Sequence, residues 1–234
     1  MQTAWELFYN EFITKGGYIT VLEGLLATVE ISIFGLLIGI LLGTVIATVK
    51  IMPKTKKIFK VLEKIFDVYV GFFRGTPMMV QLLIGYFVLL PLLGIVVDGV
   101  IVAIIIFGLN SGAYGSEIMR SGMQSVDPGQ LEAGRALGLS YWKAMLRIVI
   151  PQSIKNILPT LGNEFIVLIK ETSIVGYIAI VDVTKAFKSI ADNTYEYIIP
   201  YVILALVYLV LVILITWLIR TLERRFKKSD RQQA

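Results

Sequence analysis

The chain has 234 residues, of which 56% are hydrophobic and 17% charged, whereas soluble globular proteins average roughly 45–50% apolar and about 25% charged. It contains no cysteine and no histidine, which excludes disulfides, thiol nucleophiles, ordinary zinc sites and a Ser–His–Asp triad. The net charge of +5 is gathered in clusters that flank apolar runs, so it reads as a topology signal and calls for no nucleic-acid partner.

Residues 1–17 have no basic stretch ahead of an apolar run, and so lack the pattern of a cleaved signal peptide. Trp5, Leu7, Phe8, Phe12 and Ile13 stand beside Glu6, Asn10, Glu11 and Lys15. This suggests an amphipathic helix at the outer membrane interface, the alternative being a partly ordered tail. Residues 24–49 carry one charge, Glu30, and are predicted as the first span. Gly35, Gly39 and Gly43 fall on one face of it and mark close helix packing, within or between subunits.

Residues 50–64 alternate lysines with Ile51, Ile58, Phe59, Val61, Leu62 and Ile65, a stripe suited to the inner membrane surface. Gly71, Gly75 and Pro77 sit where Arg74 has to approach the membrane, and proline suits a first helical turn. Residues 77–97 and 198–219 are uncharged, and 99–116 run uncharged up to Glu117. Residues 154–180 are interrupted by Lys155, Glu164, Lys170 and Glu171. Each segment is near the ~20 residues that a helix needs to cross the hydrocarbon core. Lipid leaves the backbone no external partner, so the spans are read as helices.

Most of the 22 lysines and arginines fall in residues 50–64, 120–155 and 220–231. Five crossings put all three clusters on one side, the cytoplasm by the positive-inside rule, with the amino terminus outside and the carboxyl terminus inside. Four crossings would separate the second cluster from the third.

Between spans, Asp127, Pro128 and Gln130 form a helix-start signature of N-cap, first-position proline and box-type partner. Gly138 supplies the stop. Ser140 is placed to cap a second short helix through Trp142, Met145 and Leu146, expected to break near Pro151. So short a helix has little intrinsic stability and needs something packed on it.

Glu132-Ala133-Gly134, then Gly138 and Ile157-Leu158-Pro159, resemble the EAA loop of binding-protein-dependent ABC importers, with Gly134 where the motif carries a third alanine. Phe73-Arg74-Gly75-Thr76-Pro77 with Gln81-Leu82 are similar to the second-span entrance of polar amino-acid permeases of the histidine/glutamine subfamily. Ala113-Tyr114 with Glu117-Ile118 and Arg120 resemble their third span, and Asp127-Pro128-Gly129-Gln130 their lead into the loop. Asn163-Glu164-Phe165-Ile166 and Lys170-Glu171-Thr172-Ser173 resemble their fourth span. The resemblance runs from residue 21 to residue 226.

That resemblance implies an all-α integral membrane protein with the type I ABC importer fold of five transmembrane helices, in a bacterial inner or plasma membrane. Residues 1–18 would be the outer interfacial helix or tail, 19–226 the transmembrane domain with its coupling-helix loop at 125–155, and 227–234 a cytoplasmic tail. It implies three protein partners: ATP-binding-cassette ATPase subunits, a second permease subunit (identical or homologous), and an extracytoplasmic solute-binding protein. No G-x-x-x-x-G-K-[ST] is present, so ATP and Mg are expected on the partner ATPase, with no cofactor, metal or catalytic site on this chain.

Glu132, Ala133, Gly134, Leu137 and Gly138 are the expected ATPase-coupling residues. Charges inside spans are costly and default to functional candidates. Arg74 and Glu117 are read as an intramembrane ion-pair set, Glu117 pairing with Arg74 or Arg120. Asn163 and Glu164 are the expected substrate contacts, Glu164 suiting an ammonium or guanidinium and hence a basic amino acid. A Glu164–Lys170 pair is the structural alternative. Thr172 and Ser173 are further substrate candidates, or they bond back to their own helix. A stand-alone carrier or channel using Arg74, Glu117 and Glu164 is the competing function. It is disfavoured because no internal repeat is evident and the capped inner helix would have no purpose. An intramembrane enzyme would want His, Cys or paired carboxylates.

Overall fold

The structure, a computed structural model, describes residues 3–52 and 57–231, and side chains as far as Arg224. The expected basic positions Lys54 and Lys56 lie outside the described residues, and the side chains of Arg225, Lys227, Lys228 and Arg231, with the rest of the 227–234 tail, lie outside the described side chains. Every regular element among the described residues is helical. They are α1 (Ala4–Tyr9), α2 (Gly17–Ile51), α3 (Lys57–Gly75), α4 (Met78–Ile84), α5 (Leu90–Leu92), α6 (Gly99–Gln124), α7 (Pro128–Ala136), α8 (Tyr141–Ala144), α9 (Ile150–Glu171), α10 (Val183–Thr194) and α11 (Ile198–Arg231). Widened π turns occupy Asn10–Thr14, Gly85–Leu89 and Met145–Val149, and a tighter 3-10 segment occupies Thr172–Ile178.

By length and composition, 3 of these helices suffice to cross a membrane, Gly17–Ile51, Gly99–Gln124 and Ile198–Arg224, and the broken pair Lys57–Gly75 with Met78–Leu92 makes up to 4. Helix α9, with Lys155, Glu164, Lys170 and Glu171, is not among them. Hydroxyls within α2 bond back up their own helix: Ser32 to the Thr28 carbonyl and Thr44 to the Ile40 carbonyl, each at 2.7 Å. A polar side chain is thereby satisfied in an apolar segment without a partner from elsewhere.

The expected break near Pro151 does not occur. The helix runs from Ile150 to Glu171 through both Pro151 and Pro159. A proline ring collides with the carbonyl four residues back and cannot donate to it. Here the π turn Met145–Val149 comes first, and the Ile150 N–H donates to the Met145 carbonyl five residues back. Pro91 is preceded in the same way: the Leu90 N–H donates to the Gly85 carbonyl across Gly85–Leu89. In both places one extra residue in the turn makes room for the ring.

The described chain forms two compact units, one of residues 1–37, 76–108 and 165–215, the other of 38–75, 109–164 and 216–234. In the first unit, Ile31, Leu82, Ala103, Phe107, Leu168 and Val175 form one buried core. Phe8, Val21, Val183, Phe187 and Ile190 form another. The second core holds the amino-terminal segment: Phe12 stacks on Phe187 with centroids 6.3 Å apart, and the Glu11 carboxylate accepts from the Asn193 amide at 2.8 Å. Helix α1 starts at a capping box of Thr3 and Glu6. Trp5 and Tyr9 of this helix and Ile13 of the following π turn stay exposed. Lys15 lies 2.7 Å from Glu11, and its hydrogen bond, together with that of Asn193, holds the Glu11 carboxyl below its ordinary range.

The glycine stripe of α2 packs within the chain, against α6. In the first unit a Cβ at Gly35 would lie 3.1 Å from the Phe107 Cβ. In the second unit a Cβ at Gly39 would lie 2.5 Å from the Ser111 Oγ, and one at Gly43 2.7 Å from the Gly115 carbonyl carbon. Both helices advance four residues per contact, the register of small residues that lets two backbones approach closely.

Candidate functional site

The loop between α6 and α9 belongs to the second unit and is built by its caps. The Asp127 Oδ1 accepts from the Gly129 N–H at 2.8 Å, and Pro128 opens α7. Gln130 does not close a capping box. Its backbone N–H donates to the Asp127 carbonyl, and its side-chain oxygen accepts from Gln152 at 3.4 Å. At the far end Gly138 has φ +84°. Its N–H donates to the Arg135 carbonyl, and the Leu139 N–H donates to the Gly134 carbonyl. That pair of bonds is a Schellman motif, whose left-handed residue favours glycine. Nothing lies within 4 Å of a Cβ at Gly138, so conformation and not space requires glycine there.

Gly134 has a different reason. A Cβ on it would lie 2.7 Å from the Ile148 Cδ1 and 3.3 Å from the Ala144 Cβ. The Ile148 tip of the following segment, which Ser140 starts by accepting from the Lys143 N–H at 3.4 Å, would have to swing aside for the alanine that the motif carries. Val126, Met145 and Val149 form the buried support, with Leu131 and Tyr141 against it. The opposite face of α7 is bare: Glu132 and Ala133 are exposed, and Leu137 is 85% exposed. A leucine so exposed at the end of a doubly capped helix is an apolar knob without a partner among the described residues.

The ionic residues of the second unit are connected differently from the sequence expectation. Glu117 pairs with Arg120 at 2.7 Å and with Lys50 at 3.3 Å. Lys50, its side chain 11% exposed, also pairs with Asp67 at 2.9 Å. Arg120 reaches on to Gln124 at 2.8 Å. Arg74 stands apart from this chain of charges, its guanidinium 5.4 Å from the centroid of the Tyr114 ring. Of the two pairings left open for Glu117, the structure forms the one with Arg120, and the Arg74 alternative gives way to a cation–π contact. Nearby, the Tyr69 hydroxyl donates to the Leu109 carbonyl and Asn110 to the Phe73 carbonyl, which ties the end of α3 to α6.

Asn163 and Glu164 lie side by side on α9, Asn163 exposed and Glu164 half-buried. Glu164 is hydrogen-bonded to the Ser111 hydroxyl of α6. One hydroxyl occupies a fraction of a carboxylate's acceptor capacity of about four lone-pair sites, so Glu164 retains the means to receive a cation.

Thr172 and Ser173 belong to the first unit and differ in fate. Thr172 is fully buried, and its hydroxyl donates to the Ile169 carbonyl at 2.7 Å. Ser173 lines a cavity of ≈ 390 Å³ together with Tyr177, Asp182, Lys185, Lys188 and Ser189. Asp182 caps α10, and nothing in the sequence analysis singled it out. An aspartate directly before Val183-Thr184-Lys185 is nonetheless an N-cap signal. Lys188 pairs with Asp192 at 2.6 Å, and the carboxylate pushes the lysine's pKa upward.

Among the described residues no group of three or more acidic side chains is placed to hold a metal ion.

Residues 31–228 match the family described as binding-protein-dependent transport system inner membrane component. The chain is 41% identical over 210 residues to the arginine transport system permease protein ArtQ of Bacillus subtilis (strain 168), a match covering 90% of this chain and 94% of that protein. It is 38% identical over 205 residues to the putative glutamine transport system permease protein GlnP of Rickettsia bellii (strain RML369-C), covering 88% and 92%. Among solved structures it superposes on the crystal structure of an amino acid ABC transporter with histidines, with TM-score 0.80, 40% identity, and coverage of 92% of this chain and 98% of that one.

Proposed function

Since the chain belongs to the family of binding-protein-dependent transport system inner membrane components, we propose that it is the membrane-spanning permease subunit of an ABC importer for a polar amino acid. In this reading it crosses the membrane five times with its amino terminus outside. Two such subunits line the path, an extracytoplasmic binding protein delivers the amino acid, and ATP with Mg is held and hydrolysed by a separate ATPase. The chain itself is then a transport subunit and not an enzyme.

The observation that carries the coupling assignment is α7. It is capped at Asp127, closed by a Schellman turn at Gly138 and held from below by Val126 and Met145, with Glu132, Ala133 and Leu137 outward. A short helix fixed at both ends moves as a unit, so a shift imposed on its bare face reaches the helices joined to it as a rigid-body displacement. Gly134 serves by letting the following segment approach, and Gly138 by making the turn.

Cargo contact is assigned to Asn163 and Glu164, and the residual acceptor capacity of Glu164 favours a basic amino acid. ArtQ, named for arginine transport, supports that preference, and GlnP, named for glutamine transport, supports the wider polar class.

Purification of the tagged chain from its native membrane, followed by reconstitution in proteoliposomes, tests the reading. A co-purifying ATPase and arginine or lysine uptake that requires ATP are expected. Uptake that continues without ATP or any ATPase partner would replace the importer by a stand-alone carrier.

A further inference from the structure

Helix α3, in the second unit, has two apolar faces, and the described residues cover one of them. On that face Phe66, Tyr69, Val70 and Phe73 pack with Ile46 and Ala113. At about 3.6 residues per turn, Ile58, Val61, Ile65, Val68 and Phe72 recur at steps of three and four and form a second stripe. It is bare, from Phe72 at 51% exposed to Val68 at 74%. Lys57, Lys60 and Lys64 keep the same steps one residue earlier, about 100° round the helix, and all three are exposed. They border the first turns of the bare stripe.

The charges of α3 are sorted around it. Asp67 pairs with Lys50 at 2.9 Å, and Glu63 has an interaction of its own. Both acids fall on the far side of the lysine row from the bare stripe. Arg74 is engaged with the Tyr114 ring. Lys57, Lys60 and Lys64 have no ion pair among the described residues, so the edge of the stripe carries three uncompensated positive charges. Lysine stems lie along apolar surface while their ammonium groups reach for a polar or anionic boundary. An apolar stripe edged by cations fits a layer whose interior is hydrocarbon and whose surface is negative.

We propose that α3 binds anionic phospholipid, with acyl chains on Ile58, Val61 and Ile65 and phosphate headgroups along Lys57, Lys60 and Lys64. A zwitterionic lipid offers the same hydrocarbon without net negative charge. The lysine row therefore makes this surface selective among lipids, which a helix resting on the membrane by its apolar residues alone is not. The attraction of one basic side chain to an anionic membrane surface is worth roughly fivefold in binding. The inference uses the membrane setting of the family and holds whatever amino acid is carried.

The test uses the intact permease–ATPase complex in phosphatidylcholine vesicles. The chain has no cysteine, so Val61→Cys, paired with a cysteine-free ATPase, takes a fluorophore at one place on the stripe. Brominated phosphatidylglycerol or brominated phosphatidylcholine, added at equal mole fraction, quenches it by contact. Phosphatidylglycerol should be favoured about fivefold or more, and high salt should shrink that preference by screening. The triple variant Lys57→Gln, Lys60→Gln, Lys64→Gln should be quenched equally by both lipids, and the corresponding triple arginine variant should keep the preference. All three side chains are exposed, so folding is preserved, as ATPase co-purification would verify. Equal quenching in the parent overturns the proposal, as does a preference that survives the triple glutamine substitution. Quenching by neither lipid overturns it too. Cross-linking of Val61→Cys to its own copy would then give the stripe to a second subunit, and quenching restored by stripping the ATPase would give it to the ATPase. Amino-acid uptake by the same vesicles reads the importer assignment separately.

Discussion

Glu164 is hydrogen-bonded to the hydroxyl of Ser111, the same hydroxyl against which Gly39 leaves no room for a methyl group. The packing of α2 on α6 and the orientation of the candidate cargo carboxylate therefore share one atom. Gly39→Ala should displace the Ser111 side chain and so damage cargo affinity as well as stability. Overpacking of this kind costs typically 1–3 kcal/mol. Thermal unfolding in detergent should fall for Gly39→Ala, and the double variant Gly39→Ala with Ser111→Gly should recover most of that loss.

Glu164→Gln removes the charge and keeps the shape. Hydrogen bonds to charged groups contribute roughly 1.5–3 kcal/mol, about tenfold to a hundredfold in affinity. Arginine or lysine uptake should drop by that order, while a neutral cargo, if carried, is spared. Normal arginine uptake in the variant would end the basic-substrate assignment and leave the family membership intact.

At the coupling loop, Gly138→Val places a β-branched residue at φ +84°, where even an unbranched L-residue costs roughly 1–2 kcal/mol. The end of α7 should fray, and ATPase association should weaken although the protein still inserts. Leu137→Ala and Glu132→Lys alter the bare face without removing a capping hydrogen bond, and should uncouple hydrolysis from uptake. Wild-type transport with a bound ATPase in all three variants would show that α7 is not the docking element.

The five-span arrangement can be read by thiol labelling, since the chain has no cysteine of its own. Cysteines introduced at Lys15 and Lys188 should react from outside. Those at Lys57 and Lys228 should react only after permeabilisation. Protection of Lys188→Cys in sealed cells would invert the outer assignment of α10.

Acid should loosen the amino-terminal helix. The folded pKa of Glu11 is depressed by the Lys15 and Asn193 hydrogen bonds. Its contribution is therefore present above the unfolded carboxyl value of about 4.3 and is lost as the pH falls through the depressed one. Hydrogen exchange in residues 3–14 should accelerate below that range. Glu11→Gln should show faster exchange at neutral pH and little further acid dependence.

What the sequence made legible was local. Asp127 and Gly138 bound α7 because capping is decided within a few residues, and the charge-free runs found the long helices because lipid tolerates little else. The extra reach of α2 to Gly17 and Ile51, beyond the expected 24–49, reflects ends that amphipathic turns can extend without a hydropathy signal. The Lys50–Glu117 pair is out of reach of local sequence reasoning, being 67 residues apart. Phe12 on Phe187 joins segments still more remote, so the amino-terminal segment is not distinguishable from a tail by sequence. Pro151 misled for a different reason: the rule that proline breaks a helix assumes a regular ladder, and the ladder ahead of it is not regular.

The turn at Met145–Val149 holds one residue more than an α-helix would use, so length and register are exchangeable there. Deleting one residue from it would close the turn to ordinary α-helical winding, and the Pro151 ring would then face a carbonyl that now lies clear of it. A single deletion in this segment should therefore be tolerated only alongside Pro151→Ala, and relatives that lack the extra residue should lack the proline as well.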